Sequence, residues 1–319
     1  MIMYFKKRLV ILFLLLGLAI IFGLVKGAVN IPLADLLLKN NQAIFNLRLL
    51  RIAAAILVGS GLAVSGIALQ AILRNPLAEP YLLGTSSGAG LAAVTAAILG
   101  VSRLYMPLAA FLGAMASIIL VYNLARERGM IADKSLILSG VIVSVAFSSI
   151  IVFLVSLFGN EAMHEMNWWL WGSLQVYDYK LLLLVAIPVI LGICGIYLFA
   201  QDLNAISMGE EDAVHLGINT QAVKKILILI TAIITASLIC ICGIIGFVGL
   251  IVPHMMRLVV GPNHKLLIPV TCLAASIFVV LCDLLSRTLF APVEIPIGVI
   301  TAIIGAPVFI ILLKKGKRI

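Results

Sequence analysis

Gly84-Thr85-Ser86-Ser87-Gly88 fits the G-x-S-x-G spacing that holds a nucleophilic serine on a sharp strand-to-helix turn. That chemistry needs a strand before the serine, a histidine to take its proton and an acid to orient the histidine. Here the five residues open an apolar run, with no strand signal and no obvious partners, so helix packing accounts for them better, with hydroxyls free to line a path. The four histidines, His164, His215, His254 and His264, are dispersed, and Glu161, His164 and Glu165 do not make the H-E-x-x-H pattern of a zinc site. The five cysteines, Cys194, Cys240, Cys242, Cys272 and Cys282, lie inside apolar runs and read as small buried side chains, not as metal ligands or disulfides. Asp283 is the only acid deep in the last four apolar runs, with Arg287 one helical turn on. A local i, i+4 ion pair is the simplest reading; a proton-coupling carboxylate is the alternative. Arg48, Arg51 and Arg287 map to one side of the membrane, where they either snorkel to headgroups or offer cations to an acidic partner.

Two polar intervals carry more specific signals. Gln201 to Lys225 reads QDLNAISMGEEDAVHLGINTQAVKK. Ser207 or Asn204 is expected to cap a short helix whose first turn holds Glu210, Glu211 and Asp212, where the helix dipole favours acids. Gly217 suits the left-handed residue that ends it. Ile206, Met208, Val214 and Leu216 leave apolar surface on an element too short to stand alone. It is either a loop helix resting on the bundle or a docking element for a cytoplasmic partner. Arg74-Asn75-Pro76-Leu77-Ala78-Glu79-Pro80 is a polar turn in which the prolines end one helix and start the next, and Asn75 satisfies freed backbone groups. A structural corner explains Arg74 and Glu79 less well. Trp168, Trp169 and Trp171 read as an interfacial aromatic belt.

The elements that must position these residues are membrane spans. Of 319 residues, 63% are hydrophobic and 11% charged, and the mean hydropathy is +1.24. Soluble domains are about half apolar and a quarter charged, and outer-membrane strands alternate residue by residue, so neither class fits. Apolar runs of spanning length fall at about 9–26, 52–72, 82–100, 104–125, 136–158, 180–200, 225–243, 246–258, 266–286 and 296–313. The eighth is short and glycine-rich, hence tilted or partly broken. Lys6, Lys7 and Arg8 precede a first run too long for a signal peptide and without an A-x-A site, so it reads as an uncleaved span. With the N-terminus inside, fifteen of the 22 basic residues face the cytoplasm, which supports both termini there. The net charge of +9 follows this bias and implies no nucleic acid. Residues 1–319 thus form one all-α, polytopic transmembrane unit. Without a G-x-x-x-x-G-K-[ST] sequence, any ATP-driven transport needs an engine on another polypeptide. Gly59, Gly61, Ser65 and Gly66, then Gly84 and Gly88, and then Gly243, Gly246 and Gly249, predict close helix packing.

RLLRIAAAILVGSGLAVSGIALQAILRNPLAEPYLLGTSSGAG (48–90), which contains Arg74, Asn75 and Pro76, resembles the second and third spans of the FecCD permeases, the membrane subunits of ABC importers for iron chelates, haem and vitamin B12. WWLWGSL (168–174), GEEDAVHLGI (209–218), GFVGLIVPHMMRLVVGPNHKLLIP (246–269, with Pro253, His254 and Arg257) and DLLSRTLFAPVEIPIGVITAIIGAPVFIILL (283–313, with Glu294 and Pro296) follow in order. The resemblance implies ten helices per subunit, a homodimer with the path on its two-fold axis, two cytoplasmic ATPase subunits and an extracytoplasmic substrate-binding protein. It implies no covalent chemistry and no cofactor on this chain, ATP and Mg belonging to the ATPases. Ser207, Met208, Gly209, Glu210, Glu211, Ala213, Leu216 and Gly217 would contact the ATPase, and Arg48, Arg51 and Arg287 the binding protein. The fifth and tenth spans would line the path, with Asp133, Lys134, Ser135 and Ser139 on one and Gly298 and Thr301 on the other. Asp133 and Lys134 depart from the small hydroxyl residues expected at such a gate. A proton-coupled transporter using Asp283 is the competing reading.

Overall fold

Where water is absent, a run of apolar residues closes its backbone hydrogen bonds within itself, as a helix. The computed structural model describes residues 2–27, 29, 38, 41–127, 130–158 and 170–316. These form α1 (Ile2–Val25), α2 (Gln42–Ile72), α3 (Thr85–Ile98), α4 (Met106–Leu124), α5 (Asp133–Phe158), α6 (Tyr179–Leu198), α7 (Ala200–Met208), α8 (Glu210–His215), α9 (Thr220–Cys242), α10 (Val248–Val260), α11 (His264–Thr288) and α12 (Ile297–Gly316). Among the described residues, seven helical stretches are long and apolar enough to cross a membrane, and α3, α10 and α12 are shorter apolar helices. Together they coincide with the ten spans read from the sequence. A two-residue hairpin, Arg126–Glu127 with Met130–Ile131, joins α4 to α5. Glu161, His164, Glu165, Trp168, Trp169, Lys39 and Arg128 lie outside the described residues.

α2 is the hub. It packs against α11, α9, α10 and α6, and most of its length is buried. Helices in lipid associate through close backbone approach at small residues. At the α2–α10 crossing a Cβ on Gly66 would overlap the Gly249 carbonyl, so neither helix tolerates a larger residue there without moving. Gly88 and Gly113 make the corresponding contact between α3 and α4.

α10 is short because the chain breaks before it, as the glycine-rich eighth run suggested. Gly243 ends α9 at φ 65°, and Phe247 enters α10 at φ 69°. The unwound residues between them expose peptide groups that hydrocarbon cannot satisfy. Tyr81 answers one residue completely: its hydroxyl oxygen accepts from the Ile245 N–H at 3.1 Å and its O–H donates to the Ile245 carbonyl at 3.3 Å. Inside α10, Pro253 lacks the N–H that would reach the Gly249 carbonyl. Gln70 Nε2 of α2 takes that place, at 3.3 Å from Gly249 O and Leu250 O, while its Oε1 accepts from both terminal nitrogens of Arg257 at 3.2 Å. The segment before α6 folds into the same region, with Ser173 N–H donating to Cys242 O and Trp171 O accepting from Gly298 N–H.

The glycine-serine pentad is a helix start. Gly84 sits at φ 76°, its carbonyl accepts from the Ser117 and Ser87 hydroxyls at 2.7 and 3.0 Å, and Thr85 donates back to Pro80 O. Cys240, Cys242 and Cys282 are buried, but Cys194 is exposed on the outer surface of α6, contrary to the expectation for all five.

Candidate functional site

At one end of the bundle Arg48, Arg51 and Arg287, far apart in sequence, converge on a cleft of about 240 Å³ that Gln175, Tyr177 and Glu294 also line. None of the three guanidiniums is left to solvent or headgroups. Arg48 of α2 reaches the end of α1 and donates to Leu24 O (2.5 Å), Val25 O (3.1 Å) and Val29 O (2.5 Å). It thereby supplies donors to carbonyls that a helix end leaves bare. Arg51 lies 2.6 Å from Asp283 and 2.8 Å from Glu294. Arg287 lies 3.0 Å from Asp283 and also donates to Gly23 O. The i, i+4 pair expected from the sequence is therefore present, and Arg51 of a distant helix shares its acid. Among the described residues, three cations stand against two carboxylates in the cleft, one positive charge in excess.

The other end carries α7 and α8. The single short helix expected from the sequence is two helices meeting at Gly209, and neither expected cap forms. Ser207 donates back to Leu203 O within α7, and Asn204 holds α11 by accepting from the His264 backbone N–H and facing its ring nitrogen Nδ1. Gly217 does take the left-handed conformation, at φ 83°. Leu203, Ala205 and Ile206 are buried against α2 and α11, so Ile206 adds nothing to the exposed surface. Ala213 is buried, whereas Ser207, Met208, Glu211, Val214 and Leu216 are exposed.

Glu210 turns inward instead. It accepts from Lys224 Nζ at 2.8 Å, from Thr220 Oγ1 at 3.1 Å and from Gln221 Nε2 at 3.2 Å. Burial alone would raise its carboxyl, but the Lys224 hydrogen bond and charge, with the Thr220 and Gln221 bonds, outweigh that and hold it below its ordinary value. The same Lys224 lies 2.7 Å from Asp133, the first residue of α5, and Arg74 lies 3.7 Å from that acid. The polar turn after α2 is thus a corner and also an ionic contact. Asn75 closes it by accepting from the Leu77 N–H at 2.9 Å, as expected, with Pro76 exposed beside it.

The residues assigned to a path fall on two separate surfaces. Lys134 is exposed and Ser135 and Ser139 half-buried on α5, which packs mainly on α3 and α4. Gly298 and Thr301 sit on α12, which packs on α10 and α11; Thr301 is buried and Gly298 is held by Trp171. Pro296 precedes α12, and His254 of α10 meets Phe309 of α12 edge to face at 6.5 Å. Sequence reasoning missed Lys224, Gln70 and Tyr81. The signal for Lys224 was periodic, because Thr220, Val223, Leu227, Ile228 and Thr231 place it on the buried stripe of α9 and Lys225 off it.

The FecCD transport family model matches residues 14–315. The chain is 40% identical to the cobalamin import system permease protein BtuC of Halobacterium salinarum, over 85% of this chain and 73% of that protein. It is 36% identical to the Fe(3+) dicitrate transport system permease protein FecD of Escherichia coli K12, over 98% of this chain and all of that one. Among solved structures, a metal-chelate type ABC transporter in an inward-facing conformation superposes with a TM-score of 0.88 at 33% identity, covering 98% of this chain and 99% of its own. The ten apolar helices among the described residues and these matches lead to one assignment: the chain belongs to the FecCD transport family of ABC importer permeases, multi-pass membrane subunits that are not themselves enzymes.

Proposed function

We propose that this chain is the membrane subunit of a binding-protein-dependent importer that carries a bulky metal chelate (an iron–siderophore, haem or a corrinoid) into the cytoplasm. ATP, with Mg, is hydrolysed on two separate cytoplasmic subunits, and this chain needs no cofactor. The observation that carries the reading is the α7–α8 surface. Met208, Val214 and Leu216 are 78, 56 and 70% exposed beside the exposed acids Glu211 and Asp212. Acids do not suit hydrocarbon and clustered apolar side chains do not suit water, so the mixture fits a groove on a soluble partner. The basic residues of the sequence favour this end, with both termini, in the cytoplasm.

A second copy of the chain completes the path. Leu138, Ile142, Val145 and Val152 form an exposed stripe at helical spacing on α5, with Ser144 and Ser148 beside it. α5 packs on α3 and α4 and α12 on α10 and α11, so a two-fold axis would bring the two path surfaces together from different copies. The cleft at the opposite end would meet an acidic surface of the binding protein through its excess charge, which steers encounter more than it adds affinity. The transported chelates named for the relatives support the substrate class. Proton coupling through Asp283 finds less support, because Arg51 and Arg287 engage the carboxylate as a joint between helices.

Co-expression with an ABC ATPase and a substrate-binding lipoprotein of this importer family, followed by reconstitution in liposomes, tests the reading. Vanadate-sensitive uptake of cyanocobalamin, ferric siderophore or haem that requires all three components is expected. Uptake by this chain alone, collapsing with the proton gradient, would refute it.

A further inference from the structure

The first turn of α9 grips two elements at once. Lys224, only 2% exposed, shares its ammonium between Asp133 at the head of α5 (2.7 Å) and Glu210 at the head of α8 (2.8 Å). Gln221 repeats the arrangement with neutral groups: its Nε2 donates to Glu210 at 3.2 Å and its Oε1 accepts from the Ile131 N–H at 2.9 Å, two residues before α5. Arg74 and Lys224 against Asp133 and Glu210 make a neutral cluster. A buried ammonium between two carboxylates is weakly screened, and withdrawing either acid leaves a charge without its partner. The least costly displacement keeps both pairs intact. Lysine suits this joint, since a compact charge with three donors tolerates small rotations of its partners.

We propose that Lys224 is a positioning residue that fastens α8 to the head of α5, so that a push on α8 moves the head of α5 as part of the same body. The inference rests on α8 as the ATPase contact and names the residue through which that contact reaches a path helix.

Spin labels on non-canonical residues at positions 134 and 214, both exposed, measure the joint in the purified chain in nanodiscs, without any ATPase. A single narrow distance is expected in the wild type. The neutralised triple variant Asp133→Asn, Glu210→Gln, Lys224→Met strands no charge, and its distribution should broaden at least about twofold if the cluster holds α8. In the assembled transporter, uptake per ATP hydrolysed should fall about tenfold in this variant. An unchanged distribution, or uptake and hydrolysis falling together, would overturn the proposal. Should the variant fail to fold, the wild type decides: on adding ATPase and a non-hydrolysable nucleotide, the 134–214 distance must stay constant while 214 moves relative to a label at 99. Equal changes in both distances would overturn it. Absence of any ATPase capture speaks against the importer reading, and the nanodisc measurement stands apart from it.

Discussion

The two ends of the bundle both carry ionic clusters, but they are built differently. The arginine end joins long helices: α1, α2 and α11, with Glu294 from the segment before α12, through contacts of 2.5–3.2 Å onto carboxylates and bare carbonyls. Asp283 there is 1% exposed. The α8 end joins short or terminal pieces (the head of α5, α8 and the turn after α2), with Glu210 and Arg74 29 and 48% exposed. The first arrangement fixes helices that already pack along their length. The second adds an ionic link between short pieces whose own packing rests on a few buried residues, Ala78, Ile131, Leu136 and Ala213.

The largest expected effect tests rigidity at the arginine end. Asp283→Asn leaves Arg51 with only Glu294 and takes the charge partner from Arg287, and should cost about 3–5 kcal/mol, read as a large fall in the thermal midpoint of the detergent-solubilised protein. A loss below about 1 kcal/mol would mean that the buried joint is not what holds these helices. Next, Lys224→Met alone should cost about 2 kcal/mol, less because its acids are partly solvated. A greater loss than for Asp283→Asn would reverse the comparison. Third comes acidity. Glu210 titrates below its ordinary 4.5 in the folded chain, so its contribution is complete above pH 4.5 and disappears as pH falls through the lower folded value. Hydrogen-exchange protection of 210–215 should therefore be flat from pH 8 to pH 5 and drop about fivefold in more acid solution, while Glu210→Gln is weakly protected throughout. The smallest effect belongs to Arg74→Met, about 0.5 kcal/mol or less, since its contact is long and half-solvated.

The ten spans were legible in the sequence because each is an apolar run bounded by charge, proline or glycine, and hydrocarbon leaves such a run no other conformation. The short helices were legible in place but not in form. Ser207 and Asn204 both have capping chemistry, yet tertiary partners, a carbonyl within α7 and the start of α11, claimed them first. The arginines were found as a set because their type and their spacing relative to span ends stood out, whereas their inward orientation depends on helices far apart in sequence. Gln70 was visible as a lone amide in an apolar run, but its role depends on Pro253, 183 residues later, and no local pattern connects the two. Lys224 was read as one more basic residue beside a span; counting its helical phase would have separated it from Lys225.

The amide of Gln70 stands in for a peptide N–H that Pro253 cannot supply, and the stand-in is carried by a different helix. Sliding α10 along its axis would draw the amide away from the Gly249 carbonyl and leave that buried acceptor unpaired. Screw-like or ratcheting travel between α2 and α10 is thereby forbidden. Whatever rearrangement accompanies the passage of cargo has to treat these two helices as a fixed frame and find its freedom elsewhere.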